Sequence, residues 1–397
     1  MLNIIIPLAG TGLRFLREGY IRPKPFVKVW GRELILWLLE SLTFHSNDTL
    51  VLVFNAKPEL GLSTKGFFTL VEEYFLTLPP DRNPQVKYIC ITETTVGAAA
   101  TVQHGIEALS TERLTCPVVL LDGDTFYNVD ILALFRDTLS VPEVMDLTHS
   151  SGGAVVVFDD DRPDDSPYSY VKTDPELNTI ERIREKNKDG MSGLACSGCY
   201  CFNHTLTLKK QIKNSLKVFL QGAGVSALPK ELYTSTIIAN MLELGGCFKP
   251  IKLERTAFNV LGTPSQLKIF LTSLKLSHDR SKKRFCFDLD NTLVTTPTVP
   301  GDYCTCKPIY RVIDYLQKLH ADGYYIIIHT ARRMRTHKGN LGRVVADIGA
   351  ITIQQMRDFA IPYDELIFGK PFADFYIDDK AVLPFVDDLD KETGVLP

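Results

Sequence analysis

The chain has 397 residues, 45% hydrophobic and 23% charged, which fits a globular protein of two or three domains and excludes a fibrous or disordered chain. Its 44 Lys and Arg nearly balance 47 Asp and Glu, for a formal net charge of −3, and 15 of the basic and 16 of the acidic residues lie from Ser281 onward. Neither half therefore carries the basic surface that binding to nucleic acid requires. No apolar run reaches the roughly 20 residues needed to span a bilayer, so membrane insertion is not expected. The opening MLNIIIPLAG lacks a basic stretch before its apolar run and reads as a buried strand rather than a leader. Nine cysteines in this length point to free thiols in a reducing cytoplasm.

In chain order, the spacing predicts a strand over 3–7, a glycine- and arginine-bearing loop over 10–19 and a helix over 34–43. A strand at 49–54, a helix at 66–78, a strand at 86–91 and a helix at 97–109 follow. The apolar run 117–121 then enters Asp122-Gly-Asp124. Alternating short apolar runs and helical segments imply parallel strands with crossover helices. Beyond Asp130 the pattern changes to strands at 153–158, 170–172, 179–185 and 199–202, a polar loop at 159–167, and helices at 206–220 and 230–242, a partly antiparallel second half. The charged stretch SHDRSKKR marks a seam, giving a domain over 1–276, a linker over 277–284 and a second domain over 285–397. In the last, strands are expected at 285–289, 324–330, 365–369 and 375–378 and helices at 309–321 and 351–359. The expected class is α/β: a Rossmann-like mixed-sheet domain followed by a compact Rossmann-like domain.

Two constellations carry chemistry. After the first strand come Gly10, Gly12, Arg14 and a proline-flanked Lys24. Glycines at a strand end let successive amide groups converge on phosphate oxygens. Arg14 adds a fork of donors and Lys24 a mobile point charge. The bundle resembles the opening of the sugar-nucleotide pyrophosphorylases, and the resemblance continues in order to about residue 275. Thr95-Val-Gly97 resembles the family's base-reading loop and Asp122-Gly-Asp124 its acidic element. Tyr168-Ser-Tyr170 with Glu185-Lys186 resembles the segment whose lysine approaches the sugar phosphate, and Ser197-Gly198 and Gly262-Thr-Pro its later strand entry and loop. The resemblance implies Asp124 as a magnesium ligand and Gly10, Gly12, Gly97 and Asp122 beside the nucleotide. The implied reaction is attack of an acceptor's phosphate on the α-phosphorus of a nucleoside triphosphate, with Arg14, Lys24 and Lys186 countering the charge. One position departs: Val260 stands where the family often has a second metal-binding Asp. Either Asp124 with phosphates and water holds the ion, or another side chain such as Glu231 substitutes.

In the second constellation, the strand 285–289 delivers Asp288 to its end and the following turn returns Asp290 to the same space. His329-Thr330-Ala-Arg332, Gly369-Lys370-Pro371 and Asp378-Asp379 follow at or beside other predicted strand ends, which converge across a parallel sheet. These four elements resemble the motifs of haloacid-dehalogenase-like phosphohydrolases. The stretch 330–340 with 362–371 resembles small phosphatases of capsule or surface-polysaccharide synthesis. The resemblance implies that Asp288 attacks phosphorus, that Asp290 protonates the leaving oxygen and then activates water, and that Thr330 and Lys370 hold the transferring oxygens. It implies magnesium held by Asp288, the Asp290 carbonyl and Asp378, with Asp379 as ligand or support. The interval before the helix at 309 has room for a small flap over 295–307 and not for a full cap.

Cys196, Cys199, Cys201, Cys304 and Cys306 fit buried thiols better than zinc, which needs tight chelating turns. Arg332, Arg333, Arg335 and Lys338 read either as a solvated face or as a cluster for an anionic substrate tail. The combined expectation is a cytoplasmic, magnesium-dependent bifunctional enzyme acting on a nucleoside triphosphate and phosphorylated small molecules in a surface-glycan pathway. CTP, UTP and dTTP stay open as donors, as does a homo-oligomeric state. The alternatives are a phosphatase with a non-catalytic nucleotide- or sugar-binding first domain and a non-enzymatic scaffold.

Overall fold

Asn3–Leu8 (β1) is apolar at nearly every position and buried along its length, which is what a strand covered on both faces requires. In the computed structural model, which describes residues 1–56, 64–140, 151–162, 167–221, 231–386 and 388–396, it lies inside a nine-stranded sheet. Thr49–Asn55 (β2) and Val118–Leu121 (β4) flank β1 in parallel, and Gln85–Ile91 (β3) extends the sheet beyond β2. Leu194–Phe202 (β8) runs antiparallel to β4 and pairs with both Gly152–Asp159 (β5) and Ser169–Asp174 (β6). Thr179–Glu185 (β7) closes one edge against β6, and Cys247–Lys252 (β9) lies parallel to β5. The expected mixed sheet, parallel first and antiparallel afterwards, is therefore present.

Helix Ala98–Glu107 packs on the parallel strands through Gly105, where a Cβ would come within 2.9 Å of Ile5 and 3.0 Å of Val53. That close approach buries Val102 and Ile106 in the core with Val51, Val118 and Leu120. The register of β8 against β5 shifts between Cys196 and Tyr200, and Gly198 lies within this bulge at φ +88°. The predicted loop at 10–19 contains a short helix, Leu13–Arg17, and the segments Thr125–Tyr127 and Phe258–Val260 pair antiparallel. Residues 163–166 of the expected polar loop and Lys230 of the expected helix lie outside the described residues; the helix there is Thr234–Glu243.

The described residues form two compact units: Met1–Val27 with Arg32–Leu267, and Lys28–Gly31 with Lys268–Pro397. In the second, Arg284–Asp288 (β10), Tyr325–Thr330 (β11) and Glu365–Phe368 (β12) form a parallel sheet in that order. Helix Tyr310–Ala321 buries Val312, Ile313, Leu316 and Leu319, one apolar stripe at helical spacing. Trp30 belongs to this unit: its amide donates to the Gly394 carbonyl at 2.7 Å, its carbonyl accepts from Lys283 Nζ at 2.6 Å, and its ring centroid lies 6.0 Å from that of Tyr324.

Two expectations for this unit are corrected. The helix expected at 351–359 begins at Leu341, because Asn340 caps it by accepting from the Arg343 amide at 3.1 Å and Val344 and Ile348 continue the buried stripe upstream. The strand expected at 375–378 does not form. Strand-forming residue types need a neighbour's ladder bonds, and no strand among the described residues pairs with this segment; its side chains bond locally instead, the Tyr376 hydroxyl donating to the Pro371 carbonyl and Asp378 Oδ1 accepting from the Lys380 amide. Phe375 and Ile377 are consequently 86% and 100% exposed. Among the described residues no helix is long and apolar enough to cross a membrane.

Candidate active sites

In the first unit, the chain leaving β1 turns through Gly10 and Gly12. A Cβ on Gly10 would meet nothing within 4 Å, whereas Gly12 has φ +64° and caps Leu13–Arg17. These glycines line one cleft with Thr11, Arg22, Lys24 and Asn55. Arg14 stands exposed on the short helix. Lys24 reaches the end of β4 and pairs directly with the Asp124 carboxylate. The Asp124 carbonyl accepts from the Leu261 amide at 2.7 Å, which seats the late Gly262-Thr-Pro loop beside it. Val260 pairs with Thr125 in the short antiparallel ladder, so the departing residue is next to Asp124 and brings no oxygen ligand.

Asp122 is enclosed. Its amide donates to the Gly198 carbonyl at 2.9 Å, and a Cβ on Gly198 would fall 2.2 Å from Asp122 Oδ2, so the β8 bulge and its glycine make the space for this carboxyl. Burial, then the negative charge of Asp124, pushes Asp122 up to about 8; Lys24 opposes this and Glu185 adds to it. A carboxyl raised on folding contributes stability fully below its unfolded value, and that contribution fades as pH climbs toward the folded value. Melting temperature is thus expected to decline from about pH 4 toward pH 8 through this group. Asp122→Asn should flatten the decline in a thermal series against pH, and an unchanged slope would show that Asp122 is not its source.

Lys186 leaves the end of β7 with its amide on the Tyr168 carbonyl at 2.9 Å, and its ammonium bonds the Tyr233 hydroxyl at 3.0 Å over that ring. That hydrogen bond holds the lysine's proton more tightly than usual. Tyr233, at the N-cap of Thr234–Glu243, carried no sequence signal because a lone tyrosine at a helix start is indistinguishable from packing. Its neighbour Ser235 donates to Glu185 Oε2 at 2.7 Å, so one helix start addresses the whole Glu-Lys pair. Gly97 caps Ala98–Glu107 at φ +139°, where a Cβ would meet the Leu232 carbonyl oxygen at 2.5 Å. Gly97→Ala is expected to cost about 1–3 kcal/mol from backbone strain alone, visible as an earlier denaturant midpoint with an unchanged slope.

In the second unit, Asp288 ends β10 opposite His329, its side chain a third exposed, with Lys370 Nζ 3.1 Å from Oδ1. The amides of Gly369 and Lys370 donate to the Thr330 carbonyl at 3.2 and 3.1 Å, which pins the lysine loop to the end of β11. Thr330 itself is fully buried, and its hydroxyl accepts from the Arg332 amide at 3.1 Å. Burial raises Asp290, opposed by hydrogen bonds from Arg332 and aided by the charge of Asp288. Burial, with Lys370 nearby, lowers His329, against the pull of Asp288. Arg332, expected in an exposed basic cluster, is buried against Asp290 instead, while Arg335 and Lys338 remain exposed.

Asp288, Asp290, Asp378 and Asp379 are not brought together as a cage, and no group of three or more His, Cys, Asp or Glu able to hold a metal occurs among the described residues. Around Asp124 in the first unit, the nearest described feature is its pairing with Lys24. The five cysteines weighed for zinc are free thiols.

No family model matches the chain. It is similar to the nucleoside-diphosphate-sugar pyrophosphorylase from Vibrio cholerae RC9, with a TM-score of 0.53 at 20% identity over 68% of this chain and 99% of that one. The similarity establishes an α/β mixed-sheet nucleotidyltransferase-like fold. Among curated proteins, it is 22% identical to a probable mannose-1-phosphate guanylyltransferase 1 from Oryza sativa subsp. japonica, over 77% of this chain and 75% of that protein. It is 25% identical to a mannose-1-phosphate guanyltransferase from Candida albicans over 50% of this chain, spanning 49% of that protein.

Proposed function

We propose that the chain is a bifunctional enzyme: a nucleotidyltransferase in its first unit and a phosphate-monoester hydrolase in its second, serving synthesis of an activated precursor for a surface glycan. The observation that carries the transferase is the Lys24–Asp124 pair at the rim of a glycine-turn cleft, on a fold like that of a nucleoside-diphosphate-sugar pyrophosphorylase. In the reaction, a phosphate oxygen of the acceptor attacks the α-phosphorus and the bond to pyrophosphate breaks. Gly10 and Gly12 leave space for the phosphates at the strand end, and Arg14, Lys24 and Lys186 counter the charge of two anions brought together. The acceptor phosphate is already ionised near pH 7, so no side-chain base is required. Magnesium is the cation the proposed chemistry calls for.

For the hydrolase, Asp288 is accessible and restrained by Lys370. Its oxygen forms the aspartyl phosphate as the ester oxygen leaves with a proton from Asp290; Asp290 then takes a proton from the water that hydrolyses the intermediate. The relatives' names add GTP and mannose 1-phosphate to CTP, UTP and dTTP as substrates to test. Val260 beside Asp124 favours a second reading, in which the first unit binds nucleotide or sugar without turnover. A screen of the four triphosphates against phosphorylated acceptors, with pyrophosphate and phosphate measured separately, tests both readings. Pyrophosphate release dependent on acceptor supports the transferase, whereas nucleotide binding without it supports the second reading.

A further inference from the structure

Arg332 follows Thr330 by two residues, yet the residue is 2% exposed and every donor of its guanidinium is engaged inside the protein. Nε donates to Oδ1 and Oδ2 of Asp290 at 3.0 Å each, and Nη2 to Oδ1 at 2.9 Å. Nη1 donates to Thr352 Oγ1 at 3.1 Å and Gln355 Oε1 at 2.7 Å, while Nη2 also lies 3.9 Å from Cys306 Sγ. Gln355 in turn donates to the Tyr303 carbonyl, and the Tyr303 ring centroid lies 4.8 Å from the guanidinium carbon. The guanidinium is thus fixed by the helix Leu341–Asp358 and by the segment over 295–307, and has no donor left for a substrate.

We propose that Arg332 is a positioning residue for Asp290, holding its carboxylate plane in the orientation from which proton transfer to the leaving oxygen is in line. The proposal rests on the hydrolase reading above. A carboxylate offers about four lone-pair directions; the fork of Arg332 takes three contacts and leaves the remaining direction to carry the proton. Asp290 keeps 26% of its side chain exposed, so the carboxylate is held from behind and open in front. A lysine in place of Arg332 would preserve the charge and lose the planar fork.

The test uses the intact chain and two esters that differ in their need for a proton: p-nitrophenyl phosphate, which leaves readily, and glycerol 2-phosphate, which does not. The quantity read is kcat/KM, which reports the first phosphoryl transfer. Arg332→Lys is expected to lower it on the order of 100-fold for glycerol 2-phosphate and less than about 10-fold for p-nitrophenyl phosphate. Added guanidinium should restore at least about tenfold to Arg332→Ala with the glycerol ester, and in an Asp290→Asn background Arg332→Lys should change the rate less than about twofold. Equal losses on both esters overturn the positioning role while leaving the hydrolase standing, as does a further large loss in the Asp290→Asn background. Should Arg332→Ala fail to fold, the lysine variant and the double variant decide. Wild-type protein that releases phosphate from neither ester overturns the hydrolase reading and this proposal with it.

Discussion

Asp288→Asn is expected to reduce phosphate release by roughly three orders of magnitude or more, with the melting temperature and pyrophosphate formation little changed. The carboxylate is partly open at the end of β10 and pairs with Lys370 at 3.1 Å. The amide has nearly the same volume, so the strand end and its packing are preserved, but it cannot form an aspartyl phosphate. The loss should fall on kcat and kcat/KM together, since the nucleophile acts in the reaction rather than in uniform binding. Purified Asp288→Asn protein with full hydrolase turnover would sink the assignment.

Lys24→Ala and Asp124→Asn are each expected to lower pyrophosphate formation by about 10²- to 10³-fold and to leave phosphate release by the second unit intact. The two side chains are paired directly, so each substitution also strips the other of its partner at the cleft rim. Two substitutions at one contact are coupled, and the double variant should lose much less than the product of the single losses. Initial rates at subsaturating triphosphate, acceptor and magnesium would read this; unaltered nucleotidyl transfer in both single variants would remove the proposed cradle.

Much of this was legible because it is local. The apolar run 3–7, the glycine turn after it and the lysine between prolines are short patterns whose physical meaning needs no distant partner; β1 forms there, and Lys24 lines a cleft with the two glycines. Strand ends in the second unit were equally readable: Asp288 ends β10 and Thr330 ends β11. Features set by long-range packing were not. Arg332 looks like one charge among several in sequence, and only the helix bearing Thr352 and Gln355 takes it out of solvent. The bulge at Gly198 that encloses Asp122 depends on a register between strands some forty residues apart in sequence from one another. The segment at 375–378 has the composition of a strand, but composition cannot supply the ladder partner that would make it one.

Residues Lys28–Gly31 belong to the second unit although the chain on either side of them belongs to the first. Synthesis from the N-terminus therefore releases Trp30 more than 350 residues before Gly394, whose carbonyl accepts its amide hydrogen. Until then the indole lacks Tyr324 and Lys283 as well, and a nascent or truncated chain carries a bare aromatic side chain four residues before the helix Leu34–Glu40. A fragment beginning at Lys268 would suffer the complementary defect, an unfilled place beside Tyr324. The second unit is thus assembled from two separate stretches of sequence, and expressing it whole requires carrying those four residues across the cut.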